Sequence, residues 1–188
     1  MDPVLLGWPS DSPMLRLDYR RFSYAGKFVM SNTGKAVIRD PKRSGTIGSE
    51  FDDDVLAAVA FNADRTDPGT LWLRYVTVRE DRRGEGLGPD LCRFVVDRAA
   101  ARGYDRVRIA VNNPFAYEAL YRAGFSFTGE TTGIAELVLE RPAQRVPDDR
   151  STETYQAGFD EYRARDLSPE ERTFLGAKRG RAPPRMRR

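Results

Sequence analysis

The stretch that decides the fold is a strand that runs directly into a glycine-rich turn, Val76-Thr77-Val78-Arg79-Glu80-Asp81-Arg82-Arg83-Gly84-Glu85-Gly86-Leu87-Gly88. A helix is predicted immediately after it, over Leu91–Arg102. Glycines allow successive backbone N–H groups to point into one concavity, and the start of a helix adds unpaired donors and partial positive charge. The turn therefore predicts a site for a pyrophosphate. The alternative is a turn that is rich in glycine only for packing.

A second informative segment follows a short predicted strand, Val107–Val111. Asn113 is suited to cap a helix, Pro114 to occupy its first position, and Gly124 to follow its last residue. An apolar stripe at helical spacing supports this helix and consists of Phe115, Ala116, Ala119, Leu120 and Ala123.

Together the two segments resemble the GCN5-related N-acetyltransferase superfamily. The phosphate motif of that family, Arg/Gln-x-x-Gly-x-Gly/Ala, is matched by residues 83–88. Its downstream motif, Asn-x-x-Ala-x-x-x-Leu-Tyr-x-x-x-Gly-Phe, is assigned to Asn113, Ala116, Leu120, Tyr121, Gly124 and Phe125. The two motifs occur in the expected order, and the resemblance extends from Val55 to Arg141.

The resemblance implies an acetyltransferase that takes its acyl group from acetyl-coenzyme A. It implies a sheet that splays apart after Val78, with the thioester arm between the Thr70–Val78 and Arg106–Val111 strands. Backbone groups of Val76 and Val78 would then pair with the pantetheine arm. The pyrophosphate would be held by the amides of Arg83, Gly84, Glu85, Gly86, Leu87 and Gly88, and a Cβ at any of the three glycines would block this approach.

By the same resemblance, Tyr121 is the candidate catalytic residue. Acetyl transfer to an amine requires a neutral nucleophile, a stabilised oxyanion and a proton for the leaving thiolate, and a phenol would supply that proton. The alternative for Tyr121 is a half-buried aromatic residue whose hydroxyl reaches solvent. Asn113 would either cap its helix only or also contact the pantetheine arm.

Three features depart from the family pattern. Pro89 lacks an N–H group for a phosphate, and Asp90 brings a carboxylate close to the turn, for which Arg82 and Arg83 would compensate. The strand before the turn has no glutamate to serve as the base. The unplaced candidates, each of which is also interpretable as a solvated surface group, are Glu50, Asp52, Asp53, Asp54 and Glu136. Residues 14–54 also lack the two helices that usually help to form the acceptor site.

The composition argues against a membrane-spanning protein, a secreted protein and a zinc protein. The chain has no apolar run near the ~20 residues needed to span a bilayer, and its amino terminus lacks a signal-peptide pattern, so we expect a soluble cytoplasmic protein. It has no histidine and one cysteine, which argues against a zinc site. We expect that cysteine, Cys92, to pack in the core.

The predicted fold is α/β, with a mixed, mostly antiparallel sheet that is splayed at its centre and flanked by helices. We expect an irregular arm at 1–13, an acetyltransferase domain at 14–141 and a linker with a helical extension at 142–177. Strand character is predicted for Leu15–Tyr24 and Lys27–Met30, with Lys35–Arg39 returning as a hairpin and 40–54 as an exposed loop. In the extension, an aromatic helical stripe and a capping box predict two helices; the residues are Tyr155, Phe159, Tyr162, Ser168 and Glu171.

Six of the 31 basic residues lie in the tail Lys178–Arg188, which has no acidic residue and leaves the rest of the chain with a formal charge of −3. Such a tail is predicted to be disordered when alone. It would either bind RNA, DNA or a ribonucleoprotein or only aid solubility.

The leading hypothesis is an N-acetyltransferase acting on a primary amine: a protein amino terminus, a lysine or a small amine. The alternative is a non-catalytic binding protein that uses this tail on RNA. The sequence leaves open a dimer in which the carboxy-terminal helices are exchanged.

Overall fold

The computed structural model describes residues 1–43 and 49–186. It contains seven strands and four α-helices in these residues: β1 Pro3–Gly7, β2 Gly34–Arg39, β3 Val55–Ala63, β4 Thr70–Val78, α1 Leu87–Ala101, β5 Arg106–Val111, α2 Pro114–Arg122, β6 Ser126–Thr131, β7 Leu137–Pro142, α3 Thr152–Arg163 and α4 Pro169–Ala177. No helix in the described part of the chain is long and apolar enough to cross a bilayer.

All seven strands form one sheet in the order β1-β2-β3-β4-β5-β7-β6. The pair β4–β5 is parallel and the other five pairs are antiparallel. Because β4 connects to β5 through α1, the crossover lies across the middle of the sheet. The predicted fold class, a mixed and mostly antiparallel sheet with flanking helices, is confirmed.

The sheet opens at its centre because β4 and β5 pair over only part of their length. Pairing runs from Thr70 opposite Arg106 to Leu73 opposite Ile109 and then ends, although β4 continues to Val78. The register with β3 also shifts between Leu73 and Tyr75. Arg74 is therefore an extra residue on β4, and such a bulge bends and twists a strand. The opening begins after Leu73 and not, as predicted, after Val78.

One face of the sheet is covered by the helices. Apolar residues of α1, including Leu91, Val95 and Ala99, are buried against the strands, and the buried thiol of Cys92 belongs to the same cluster, as expected. Burial raises the pKa of this thiol to about 12. The predicted docking of α3 is confirmed because Tyr155, Phe159 and Tyr162 are all buried. The capping box that starts α4, between Ser168 and Glu171, is also present.

The buried side of α2 differs from the predicted stripe. Phe115 is exposed, whereas Tyr117, Glu118 and Tyr121 are buried together with Leu120. The reason is that α3 and α4 pack against α2, so this helix is covered on two sides, a tertiary effect that the periodicity of α2 alone does not contain.

The opposite face is covered by an irregular segment, residues 14–33, rather than by the predicted strands. Its side chains Leu15, Leu17, Phe22 and Phe28 pack against β2 and β3. The buried ammonium of Lys35 donates hydrogen bonds to the backbone oxygens of Pro13, Met30 and Thr33, at 2.6, 2.6 and 3.1 Å. The ammonium thus donates hydrogen bonds to carbonyl groups that would be paired with backbone N–H groups in a helix or a sheet.

Two further sequence predictions are corrected. The supposed irregular arm at 1–13 contains β1, which pairs with β2, so the returning strand Lys35–Arg39 lies between β1 and β3. Residues 178–184 of the tail that was predicted to be disordered when alone are held on the body of the protein through Lys178, Arg181 and Pro184. Residues 44–48 of the predicted loop at 40–54 lie outside the described residues.

Candidate acetyl-coenzyme A and acceptor site

The glycine turn presents a row of unpaired backbone donors. Gly84 and Gly86 have φ angles of +84° and +89°, a left-handed conformation that glycine adopts without steric cost. In the described part of the chain, no acceptor is paired with the N–H groups of Gly84, Glu85, Gly86, Leu87 or Gly88. Gly86 caps α1, so these donors also lie at the positive end of the helix dipole. The arrangement fits the predicted pyrophosphate site.

The glycines of the turn were predicted to be needed because a Cβ would block the pyrophosphate, and the space around Gly84 and Gly88 bears on this prediction. A Cβ at Gly84 would meet no protein atom within 4 Å, and one at Gly88 would only touch Val78 Cγ2 at 3.5 Å. A Cβ at position 84 would clash with no protein atom, so the left-handed φ is the reason within the protein for a glycine there. The space beside these positions is open to a ligand.

The charged residues of the turn are partly paired with each other. Arg82 makes a bidentate ion pair with Glu85, at 2.6 and 2.7 Å. Arg83 donates a hydrogen bond to Ser23 Oγ at 3.1 Å and lies 3.6 Å from Glu80. Arg83 is half-exposed and is the better placed of the two arginines to meet a phosphate. Its contact with Ser23 also joins the turn to the segment on the opposite face of the sheet.

Pro89 and Asp90, which depart from the family pattern just after the turn, have small effects on its N–H donors and on its charge. Pro89 is the third residue of α1 and is buried, so only one first-turn donor is lost. The Asp90 carboxylate lies 3.7 Å from Arg93, one turn further along the helix. This ion pair partly offsets its negative charge.

The backbone of β4 has a free edge beside the turn. Arg79 donates its N–H to the carbonyl of Leu56 in β3, at 2.9 Å. Because successive residues of a strand point their N–H and C=O groups to opposite edges, Val78 and Val76 point theirs toward β5. Pairing with β5 has already ended at this level. These two residues therefore offer an extended ligand the same hydrogen bonds that an added strand would receive.

Asn113 caps α2. Its side-chain oxygen accepts the N–H of Ala116 at 2.9 Å, and its Nδ2 donates to Asn112 at 3.3 Å. The predicted capping role is confirmed, and a contact with the pantetheine arm stays a prediction.

The structure counts against Tyr121 as the proton donor. The residue is fully buried, so it matches neither the catalytic role nor the solvent-reaching alternative. Its hydroxyl accepts the N–H of Phe127 at 3.0 Å and lies 3.3 Å from Ser126 Oγ, both in β6. Ser126 donates its own proton to the carbonyl of Asp149, which leaves the Tyr121 proton directed to Ser126. These contacts tie the hydroxyl to the edge strand and not to the opening beside β4.

The sequence contained a signal for this outcome. The motif requires three residues between tyrosine and glycine, whereas only Arg122 and Ala123 separate Tyr121 from Gly124. Counted back from Gly124, the tyrosine position of the motif is occupied by Leu120, which has no proton to donate. A shift of one residue turns a side chain by about 100° around a helix. Counted forward from Asn113, the same position falls on Tyr121, so the match to the motif is inexact by one residue and the assignment of Tyr121 stays a prediction.

The proposed bases are placed by the structure as follows. Asp52 accepts the N–H of Arg16 at 2.8 Å, Asp53 accepts the hydroxyl of Ser49 at 2.8 Å, and Asp54 pairs with Arg39 at 2.5 Å. All three carboxylates thus bind nearby loop or strand residues. Glu50 is exposed and Glu136 is partly exposed in the β6–β7 connection. The structure does not gather these five carboxylates at the opening.

Sequence reasoning missed an aromatic pair on the face opposite α1. Tyr75 follows the bulge on β4, and its ring centroid lies 5.8 Å from that of Tyr24. Tyr24 has a φ of +60°, which is unusual for a residue with a Cβ. The ammonium of Lys27 lies 5.9 Å from the Tyr75 ring centroid. No local pattern signalled this pair, since residues 14–33 contain no strand or α-helix.

The chain matches one family model and is similar to several solved structures. The model of the acetyltransferase (GNAT) family matches residues 12–125. No curated protein sequence matches the chain. Among solved structures, the chain is similar to an N-acetyltransferase from Staphylococcus aureus Mu50, with 17% identity, coverage of 60% of this chain and 68% of the other, and a TM-score of 0.47. It is also similar to a GCN5-related N-acetyltransferase from Kribbella flavida, with 24% identity, coverage of 58% and 67%, and a TM-score of 0.45.

The family match spans more than half of the chain and includes both β4 and the glycine turn. The chain therefore belongs to the GNAT acetyltransferase family, and it is an acyltransferase whose acyl donor is acetyl-coenzyme A.

Proposed function

We propose that this enzyme transfers the acetyl group of acetyl-coenzyme A to a primary amine. The observation that carries the proposal is the continuity between two sets of free backbone groups. The unpaired amides of residues 84–88 lie directly after the strand edge formed by Val76 and Val78. The first set suits a pyrophosphate and the second suits an extended, amide-containing chain. The proposed donor contacts comprise these seven residues together with Arg83 and Asn113.

The acceptor amine would approach from the face that carries Tyr24 and Tyr75. The other face of the opening is covered by α1 and α2, whereas Tyr24 is half-exposed beside the unpaired part of β4. Tyrosine rings attract cations, and Lys27 already lies near one of them. Because the ammonium of Lys27 would repel a second cation at this ring, the attraction of a protonated amine would come from the net negative charge of the chain before Lys178.

The reaction forms a C–N bond and breaks the C–S bond of the thioester. The attacking nitrogen loses a proton and the thiolate gains one, and solvent water would carry both because none of the five candidate carboxylates is gathered at the opening. Positioning of the two substrates would then supply most of the rate enhancement. Proton donation by Tyr121 stays a prediction that the observed hydrogen bonds do not support.

The proposal is tested by calorimetry with acetyl-coenzyme A, followed by a thiol-release assay. The acceptors would be a peptide with a free amino terminus, a peptide whose free amine is a lysine side chain, and a small polyamine. A thiol reagent would report only the released coenzyme, since Cys92 is buried and the pKa of its thiol is raised to about 12. Binding together with amine-dependent thiol release supports the proposal. Absence of binding would overturn it.

The location in the cytoplasm, the exchange of helices in a dimer and the nucleic-acid partner of the tail stay predictions. The purely non-catalytic alternative is disfavoured because the chain belongs to an enzyme family whose donor site fits these residues.

A further inference from the structure

The start of the basic tail is held in a defined position on the body. The side-chain amide of Gln156 donates hydrogen bonds to the carbonyls of Lys178 and Arg181, both at 2.8 Å. Further along, Arg150 donates to the carbonyl of Pro184 at 3.3 Å. Residues 178–184 therefore form a fixed loop over α2 and α3.

The loop is also attached through a buried carboxylate. Glu118 of α2 lies 2.6 Å from Lys178 Nζ and 2.6 Å from the Arg122 guanidinium, and it accepts the hydroxyl of Tyr155 at 3.2 Å. Burial would raise the pKa of this carboxyl, but hydrogen bonds from the two cations outweigh it and lower the pKa. The carboxylate is thus ionised and compensated by its partners.

A cavity of about 360 Å³ lies between this loop and the two helices. Its charged lining consists of Glu118, Arg122, Lys178 and Arg181, a net charge of +2. Arg181 is exposed, and its guanidinium makes no hydrogen bond or ion pair with any residue of 1–43 or 49–186, so one cation among the lining residues is free to meet an anion. The lining shares no residue with the glycine turn.

We propose that this cavity binds a phosphate group. A phosphate monoester or inorganic phosphate carries close to two negative charges at neutral pH and several strong acceptor oxygens, which matches the charge of the lining. Guanidinium groups bind such oxygens in a bidentate manner. The volume exceeds the ~30 Å³ of a water molecule many times and leaves room for the group with its attached chain.

The phosphate would come either from a free anion or from a nucleic-acid backbone, and the experiment separates these sources. Binding of inorganic phosphate is measured by calorimetry, and binding of a fluorescent single-stranded RNA by anisotropy at several salt concentrations. Both are carried out on the full chain and on the variant Arg181→Ala. The control is Arg185→Ala, which removes the same charge from an exposed position of the same tail outside the cavity lining.

Arg181→Ala is expected to weaken phosphate binding by about tenfold or more, the usual effect of losing one charge-assisted hydrogen bond, and Arg185→Ala to leave it unchanged. If RNA binding weakens in parallel, the source is a nucleic acid, and the salt slope falls by about one. If phosphate binds and RNA does not, the source is a free anion. The proposal is overturned if the wild-type chain binds no phosphate, if Arg181→Ala leaves phosphate binding unchanged, as binding at the glycine turn alone would, or if both variants weaken it equally. Melting temperatures of the variants verify that each is folded.

Discussion

The hydroxyl oxygen of Tyr121 accepts a hydrogen bond from the backbone N–H of Phe127 across 3.0 Å, inside the protein. This relationship links the end of α2 to the start of β6. It assigns the hydroxyl a role in holding the edge of the sheet together.

Replacement of Tyr121 by phenylalanine is therefore expected to lower stability more than activity. The buried N–H of Phe127 would lose its acceptor, which costs about 1–3 kcal/mol in unfolding free energy. Denaturant unfolding measures this loss, and steady-state kinetics should show less than about a threefold change in kcat. A fall in kcat of about a hundredfold with unchanged stability would restore Tyr121 as the acid.

Replacement of Gly84 by alanine is expected to weaken the binding of coenzyme A by about tenfold or more. The φ of +84° is strained for alanine, and the new Cβ would lie in the space next to the phosphate donors. Calorimetry measures the affinity.

The matched control for this change is Gly103→Ala. Gly103 has a φ of +87°, and a Cβ there would also meet no atom within 4 Å, so the backbone strain is the same. Both variants should lose about 1 kcal/mol of stability. Equal affinities for coenzyme A in the two variants would show that the turn does not hold the pyrophosphate.

Replacement of Glu118 by glutamine is expected to destabilise the protein at neutral pH by about 2 kcal/mol, since hydrogen bonds to charged groups are lost. The pKa of this carboxyl is lowered in the folded protein. Its contribution is then present above the ordinary carboxyl pKa and is lost as the pH falls through the lowered value. The two proteins should converge in stability below about pH 4. A constant difference from pH 7 to pH 3 would show that packing, and not charge, is responsible.

Replacement of Gly158 by alanine in α3 is expected to cost at least about 2 kcal/mol of stability, although alanine is the better helix former. The new Cβ would lie 2.1 Å from the hydroxyl oxygen of Tyr117, which is fully buried and has no space to move. Gly176→Ala in α4 is the control, because a Cβ there meets nothing within 4 Å. That variant should gain about 0.5–1 kcal/mol. Thermal unfolding of both variants measures the contrast, and a stabilised Gly158→Ala protein would disprove the close packing of α3 on α2.

Much of the fold was predictable because its signals are local. The glycine turn, the Asn113 cap and the capping box at Ser168 each depend on residues within four positions of one another. Residues 14–33 were mispredicted because they have no periodicity. Their structure is stabilised by scattered apolar side chains and by the hydrogen bonds that Lys35 Nζ donates to backbone carbonyl groups.

The site was predictable only in part, for a physical reason that differs between its two halves. The donor half is a property of the backbone, and glycines and strand alternation reveal where N–H groups are free. The proposed acceptor half depends on side chains that approach from distant parts of the chain. Tyr24 and Tyr75 are far apart in sequence and meet only because the segment 14–33 folds back over β4.

The sequence by itself determined the family, the order of strands and helices around the glycine turn, and the buried faces of α1 and α3, because spacing along one element dictates these. Only the tertiary structure decided the direction of the Tyr121 hydroxyl, the covering of α2 from two sides and the fixed position of residues 178–184. Each of these results from contacts between residues distant in the chain, such as Glu118 with Lys178, and such contacts form only when the elements pack together.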